Sequence, residues 1–231
     1  KQPQKKAQKE TFTRPKPTRP IKPEIPSQDR YVSNKVFLER ADSLYHTPQF
    51  EDRQIVSGNV MFRQGNMFMY CDSAYYYIDN NSLQAFGHVK MTSGDTLFVY
   101  ADRMFYDGMQ KLARLRNGPT RPKVNVQNRR VTLSSDSLFY SVNMDRGWYD
   151  CGGQLEDEVN ILTSQYGEYS PSLKTADFFG NVFLRGKKNG NKMYTDTLFY
   201  NTSTHIARIV SRTDIYSPHD TIETYNGEYN T

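Results

Sequence analysis

Cysteine is almost absent from this 231-residue chain: Cys71 and Cys151 are the two copies. Neither belongs to a zinc or redox spacing. Bridging would need their Cα atoms within about 7 Å, which the sequence leaves open. Tryptophan occurs once, and no apolar run approaches the roughly 18 residues of a membrane-crossing helix. The hydrophobic share is 36% and the mean hydropathy is −0.79. A thick globule, which draws on about 45–50% apolar residues, is thereby excluded. What apolar material there is leans aromatic, with Tyr 17 and Phe 13, and that suits a thin β-sheet protein better than a helix bundle.

Charge is unevenly placed. Residues 1–30 carry nine Lys or Arg against Glu10, Glu24 and Asp29, a net of +6, while the whole chain is +5. The remainder is therefore close to neutral and offers no basic face for nucleic acid. Six of the eleven prolines also fall in residues 1–30, which read as a semi-rigid extended linker. Two readings of it stay open: an arm that contacts phosphates or anionic lipid heads, or a solvated spacer behind a removed export signal.

Self-similarity is the dominant signal. ADSLYH (41–46), CDSAYY (71–76), ADRMFY (101–106), SDSLFY (135–140), QYGEYS (165–170), TDTLFY (195–200) and YNGEYN (225–230) align with second positions at 42, 72, 102, 136, 166, 196 and 226. The step is 30 residues except for one of 34, where NGPTRP (117–122) is inserted. Three places on, every copy is aromatic: Tyr45, Tyr75, Phe105, Phe139, Tyr169, Phe199 and Tyr229. Between copies a second element recurs as SGNVMF (57–62), FGHVKM (86–91) and FGNVFL (179–184). Polar turns such as DNNS (79–82) and KKNGN (187–191) separate the elements, and their Gly and Asn accept positive φ. Inside the elements the apolar period is two. Asn34–Leu44 alone hints at helical spacing.

These features predict an all-β fold: an elongated stack of about 30-residue hairpin repeats, solenoid-like and open at its ends. Some 12 or 13 strands at about 4.8 Å each make an object on the order of 60 Å long. Residues 1–30 form the linker and 31–231 the repeat domain, with six full copies and a partial seventh, so its last edge is expected to be incomplete. Because side chains alternate, Ala74 and Tyr76, Met104 and Tyr106, Leu138 and Tyr140, and Leu198 and Tyr200 share the more apolar face. We assign that face inward, together with Val60, Phe62, Val89, Met91, Val182 and Leu184 from the intervening strands. The expected interior is a narrow apolar trough.

Other residues point to no chemistry. Asp42, Asp72, Asp102, Asp136 and Asp196 come one per repeat, unlike the short clusters of calcium loops. They read as backbone partners or marks of a strand irregularity. His46, His88, His205 and His219 share no metal spacing. No nucleophile elbow, phosphate loop or triad is present, so neither catalytic residues nor a cofactor is expected. The aromatic ladder Tyr75, Phe105, Phe139, Tyr169 and Phe199 reads as cross-strand packing, with stacking of sugar rings as the alternative.

Gly58-Asn59-Val60, Cys71-Asp72, Tyr75-Tyr76, Ala85, Gly87 and Val89, then Ala101-Asp102, Tyr106 and Gly180-Asn181-Val182, resemble the repeat of the OstA-like family. These are the periplasmic lipopolysaccharide transport proteins of the LptA type. The resemblance covers about 31–231 and departs at Tyr166, Glu168, Asn226 and Glu228. It implies a twisted, open β-jelly-roll that holds lipid A acyl chains in an apolar groove in the periplasm. The partners it implies are lipopolysaccharide and either other transport proteins or further copies, joined through edge strands. The competing reading is a structural β-solenoid module, the soluble part of an outer-membrane assembly protein, without lipid cargo.

Overall fold

In a computed structural model the protein is described over residues 34–46 and 52–231. The basic 1–30 segment lies outside the described residues. The described part holds twenty strands and no helix, so Asn34–Leu44 is extended rather than helical. Its strands, Phe37–Arg40 and Ser43–Tyr45, pair with the next strand, and backbone pairing overrides the weak helical spacing.

The twenty strands are better counted as rungs. Six rungs are unbroken: Gln54–Gln64, Met67–Tyr77, Ser82–Ser93, Leu97–Asp107, Thr175–Gly186 and Lys192–Asn201. The other fourteen strands are short and join in consecutive pairs, such as Leu112–Arg116 with Val124–Asn128, giving thirteen rungs in all. Each inner rung pairs antiparallel with the rung before and after it. The chain is therefore a single meander, in keeping with the expected 12 or 13 strands.

Three of the unbroken rungs carry a bulge at their middle. Gly58-Asn59, Gly87-His88 and Gly180-Asn181 each place two successive residues at positive φ (77° and 48°, 72° and 44°, 73° and 50°). Register shifts fall at these same points, between Ser57 and Val60, Phe86 and Val89, and Phe179 and Val182. Gly tolerates this conformation freely and Asn or His better than most residues. A Cβ on Gly87 would also collide with the Asp72 carboxylate. The recurrent aspartates face these corners. Asp42 Oδ2 accepts from Asn59 Nδ2 at 2.9 Å, Asp72 Oδ2 lies 2.8 Å from His88 Nδ1, and Asp136 accepts from Asn117 and Lys123. They mark the strand irregularity. The 117–122 insertion also sits at a corner, where Thr120 bonds Asp102 and leaves that carboxylate only 6% exposed.

The bend divides the stack into two leaves. One carries the inward tyrosines (Tyr76, Tyr106, Tyr140, Tyr169, Tyr200) and is here called the tyrosine leaf. The other, the valine leaf, carries Val60, Val89, Val99, Val126 and Val182. Their inner faces form one apolar cluster that runs the length of the stack. The expected narrow apolar trough is a packed core, because sheets about 10 Å apart are filled by Tyr, Phe and Met side chains from both sides.

Two copies of the repeat are out of phase with the sequence alignment. In QYGEYS the Asp position is taken by Gln165, whose N–H donates to Gly180 O at 2.9 Å, as Asp42 N donates to Gly58 O at 2.8 Å. Glu168 consequently points outward, opposite Trp148 and Asp177, and Tyr169 is buried inside at 1% exposure. In YNGEYN, Tyr229 pairs with the inward Ala207, so Tyr225 rather than Asn226 holds that position. Tyr169 thus leaves the outer ladder. The other members form an outward row, Tyr75–Gln84–Phe105–Arg114–Phe139–Trp148–Glu168–Asp177–Phe199, in which Phe139 stacks on Trp148 at 5.3 Å.

Candidate functional site

Opposite the corners, the hairpin turns of the two leaves face each other along a mouth. On the tyrosine leaf each inward tyrosine is followed by a four-residue turn. Its last residue (Asn81, Lys111, Asp145, Lys174 or His205) takes a φ of 46° to 58°. The tyrosine hydroxyls therefore emerge at the mouth, where a buried O–H needs a partner.

Three of them, and Tyr229 of the last rung, find it on the opposite leaf. Tyr76 donates to Val36 O at 2.6 Å and Tyr106 donates to Gln64 Oε1. Tyr200 donates to Asp157 Oδ2 at 2.5 Å and accepts from Asn160 Nδ2 at 2.8 Å. Tyr229 accepts from Asn191 Nδ2 at 2.6 Å. Backbone and amide groups add to this seam: Gln64 Nε2 donates to Gly108 O at 2.7 Å, and Val36 N donates to Asn81 Oδ1 at 2.7 Å. The mouth is stitched toward both ends.

The middle is different. Tyr140 donates to Asp145 in the turn of its own leaf. Between the two stitched regions lies a cavity of about 520 Å³, lined by Leu97, Asn128 and Arg129 from one leaf and by Tyr140, Asp145 and Lys174 among others from the facing one. Burial, reinforced by the Asp145 bond, pushes the Tyr140 hydroxyl far above its ordinary value. Burial likewise raises Tyr106 and Tyr200, and Tyr149 and Tyr169 to about 12. These groups stay neutral donors over the whole physiological range and carry no acid–base chemistry there.

The residues assigned inward from the sequence come together. Val60, Phe62, Ala74, Val89, Met91, Met104, Tyr106, Leu138, Tyr140, Val182, Leu184, Leu198 and Tyr200 are each at most 1% exposed. Tyr76 is half-buried against the same core. Sequence reasoning missed the polar partners Gln64, Asp157, Asn160 and Asn191, and the rim residues Arg129 and Lys174. A polar residue at the end of an alternating strand was the available signal for the first four. Cys71 is buried and Cys151 exposed, and both are free thiols. Among the described residues no group of three or more His, Cys, Asp or Glu is placed to hold a metal ion.

A family model described as OstA-like protein matches residues 33–190, more than half of the chain. The chain belongs to the OstA-like family. The matched stretch includes the N-terminal stitches and every residue of the central cavity. A comparison with curated proteins finds no match. Among solved structures, this OstA-like chain is similar to LptH of Pseudomonas aeruginosa, described as the LptA-homologous periplasmic component of the conserved lipopolysaccharide transport device. The identity is 15% and the TM-score 0.42, over 48% of this chain and 79% of that one. No helix among the described residues is long and apolar enough to cross a membrane.

Proposed function

We propose that this OstA-like protein is a periplasmic carrier or bridge for lipopolysaccharide, with residues 31–231 as the carrying body and 1–30 as its linker. In this reading it moves a lipid and performs no reaction. The observation that carries it is the continuous apolar interior running along the stack, with family membership giving it context. Acyl chains would replace side chain–side chain contacts inside, each buried CH₂ contributing about 0.8 kcal/mol. Because the interior is packed, the leaves must part to admit them.

The ends fit assembly. Thr221–Thr224 and Gly227–Asn230 pair on one side only among the described residues, and Ile222 is 50% exposed. At the other end Leu44, on the inward face opposite Val56, is 51% exposed. In this reading, a strand of a further transport protein or of a second copy adds beside edge strands that carry bare apolar side chains.

The test is a photo-crosslinking residue at Tyr106, Leu138 or Leu198, incorporated in cells. Lipopolysaccharide capture supports the reading. Folded variants that capture no lipid at any of the three positions overturn it. The packed core favours one rival, a β-solenoid spacer without cargo, which predicts that negative result together with end-to-end self-association.

A further inference from the structure

We infer that the unstitched middle of the mouth binds the phosphate of a single amphiphile, with Arg129 and Lys174 on the head and the cavity wall on the first part of the tail. The biological identity of that amphiphile as lipopolysaccharide rests on the carrier reading, but the site itself does not.

Three observations meet here. The first is the interruption of the seam. Tyr106 and Tyr200 bond across the mouth, while Tyr140 between them turns back to its own leaf. No tyrosine hydroxyl spans the cavity, and parting the leaves at this point breaks none of those bonds. The second is charge. Arg129 and Lys174 line the cavity from opposite leaves, both are exposed, and no ion pair engages either among the described residues. The facing carboxylate, Asp145, is occupied by the Tyr140 hydroxyl and by Ser172 N–H at 2.9 Å. The rim therefore carries two uncommitted cations and one committed anion, which suits a phosphate better than a neutral head.

The third is apolar surface next to those cations. Leu97, Val142 and Pro171 line the cavity. At the tips of the flanking turns, Met144 is 67% exposed and Leu173 66% exposed. The stitched turns carry Ile78 and Met109 in the same way, but here the tips border an unstitched stretch, where they form a lip for an alkyl chain entering between the leaves.

The probe is dodecyl phosphate below its micelle concentration, titrated calorimetrically into the full chain. Arg129→Glu/Lys174→Glu is expected to bind about a hundredfold more weakly or worse, the loss of two charge-assisted hydrogen bonds. Lys188→Glu/Lys192→Glu, with the same charge change elsewhere, is expected to bind as the wild type does. Arg129→Gln/Lys174→Gln serves if the reversed charges disturb folding, judged by the melting curve. Equal binding by wild type and rim variants overturns the inference, as does the absence of wild-type binding. Inorganic phosphate binding as tightly as dodecyl phosphate overturns the amphiphile part. Lipid capture at Leu138 in cells that persists in the rim variants leaves the carrier reading standing without this site. Dodecyl phosphate binding without any capture sinks the carrier reading alone.

Discussion

Tyr106 reaches across the mouth to Gln64, and the Gln64 amide in turn donates to Asn34 O and Gly108 O. One side chain thus joins the first rung, the valine leaf and a tyrosine-leaf turn. Removing the amide leaves the buried Tyr106 hydroxyl and the Gly108 carbonyl without their partner, while Asn34 O keeps Asn81 Nδ2 at 2.9 Å. Gln64→Leu is expected to cost about 1–3 kcal/mol, the penalty of orphaned buried polar groups. Tyr106→Phe removes one hydroxyl and is expected to cost about 1 kcal/mol. Denaturant unfolding of both variants and of the double variant checks this. Strict additivity would show that the pair is not coupled.

The corners give a second prediction. Gly87 lies at φ 72° with the Asp72 carboxylate against the place a Cβ would take. Gly87→Ala is expected to destabilise through both, by about 1–2 kcal/mol for the left-handed backbone and more for the collision. Adding Asp72→Ala relieves the second part alone. The double variant is therefore expected to be more stable than Gly87→Ala by itself in thermal unfolding. If it is less stable, the collision does not govern the corner.

The meander and its inward face were legible because period-two alternation and a 30-residue step survive in nearly every copy. Leu138, Met104 and Val182 are where alternation puts them. The phase of QYGEYS was not legible, because an aromatic residue three or four places on satisfies the same pattern, and only the pairing of Gln165 with Gly180 separates the two. The mouth was also hidden. Arg129 and Lys174 lie 45 positions apart in ordinary turns, and their meeting across two leaves depends on the bend at the corners. The packed interior was missed because alternation tells which side chains face inward and says nothing of the distance between the facing sheets.

Alkaline pH provides a third test. Tyr149 and Tyr169 are raised to about 12 in the fold, against about 10 in an unfolded chain. Above pH 10 the unfolded state therefore loses protons that the folded state keeps, and stability falls as pH rises toward 12. Every tenfold difference in proton affinity between the two states is worth about 1.4 kcal/mol. The melting temperature is expected to be flat up to about pH 9.5 and to drop steeply beyond. Tyrosinate absorbance at 295 nm should show a late class that appears together with unfolding. Full ionisation near pH 10 with the fold intact would contradict the buried tyrosine column.

The last prediction concerns Asp177, which sits beside Glu168 on adjacent rungs. Partial burial, then the Glu168 charge, raises its carboxyl above the ordinary value, while Arg146 acts in the opposite direction. A carboxyl with a raised folded pKa favours the fold when protonated and opposes it when ionised. Its penalty is therefore present at neutral pH and fades as pH falls through the folded pKa toward 3.8. Asp177→Asn removes the charge at every pH, so it is expected to melt higher than wild type at pH 7. The gap should narrow steadily on acidification and close near pH 3. An equal or lower melting temperature at pH 7 would mean that Arg146, which also bonds Glu168 at 3.3 Å, compensates both carboxylates, and that the acidic step in the outer row is neutral to stability.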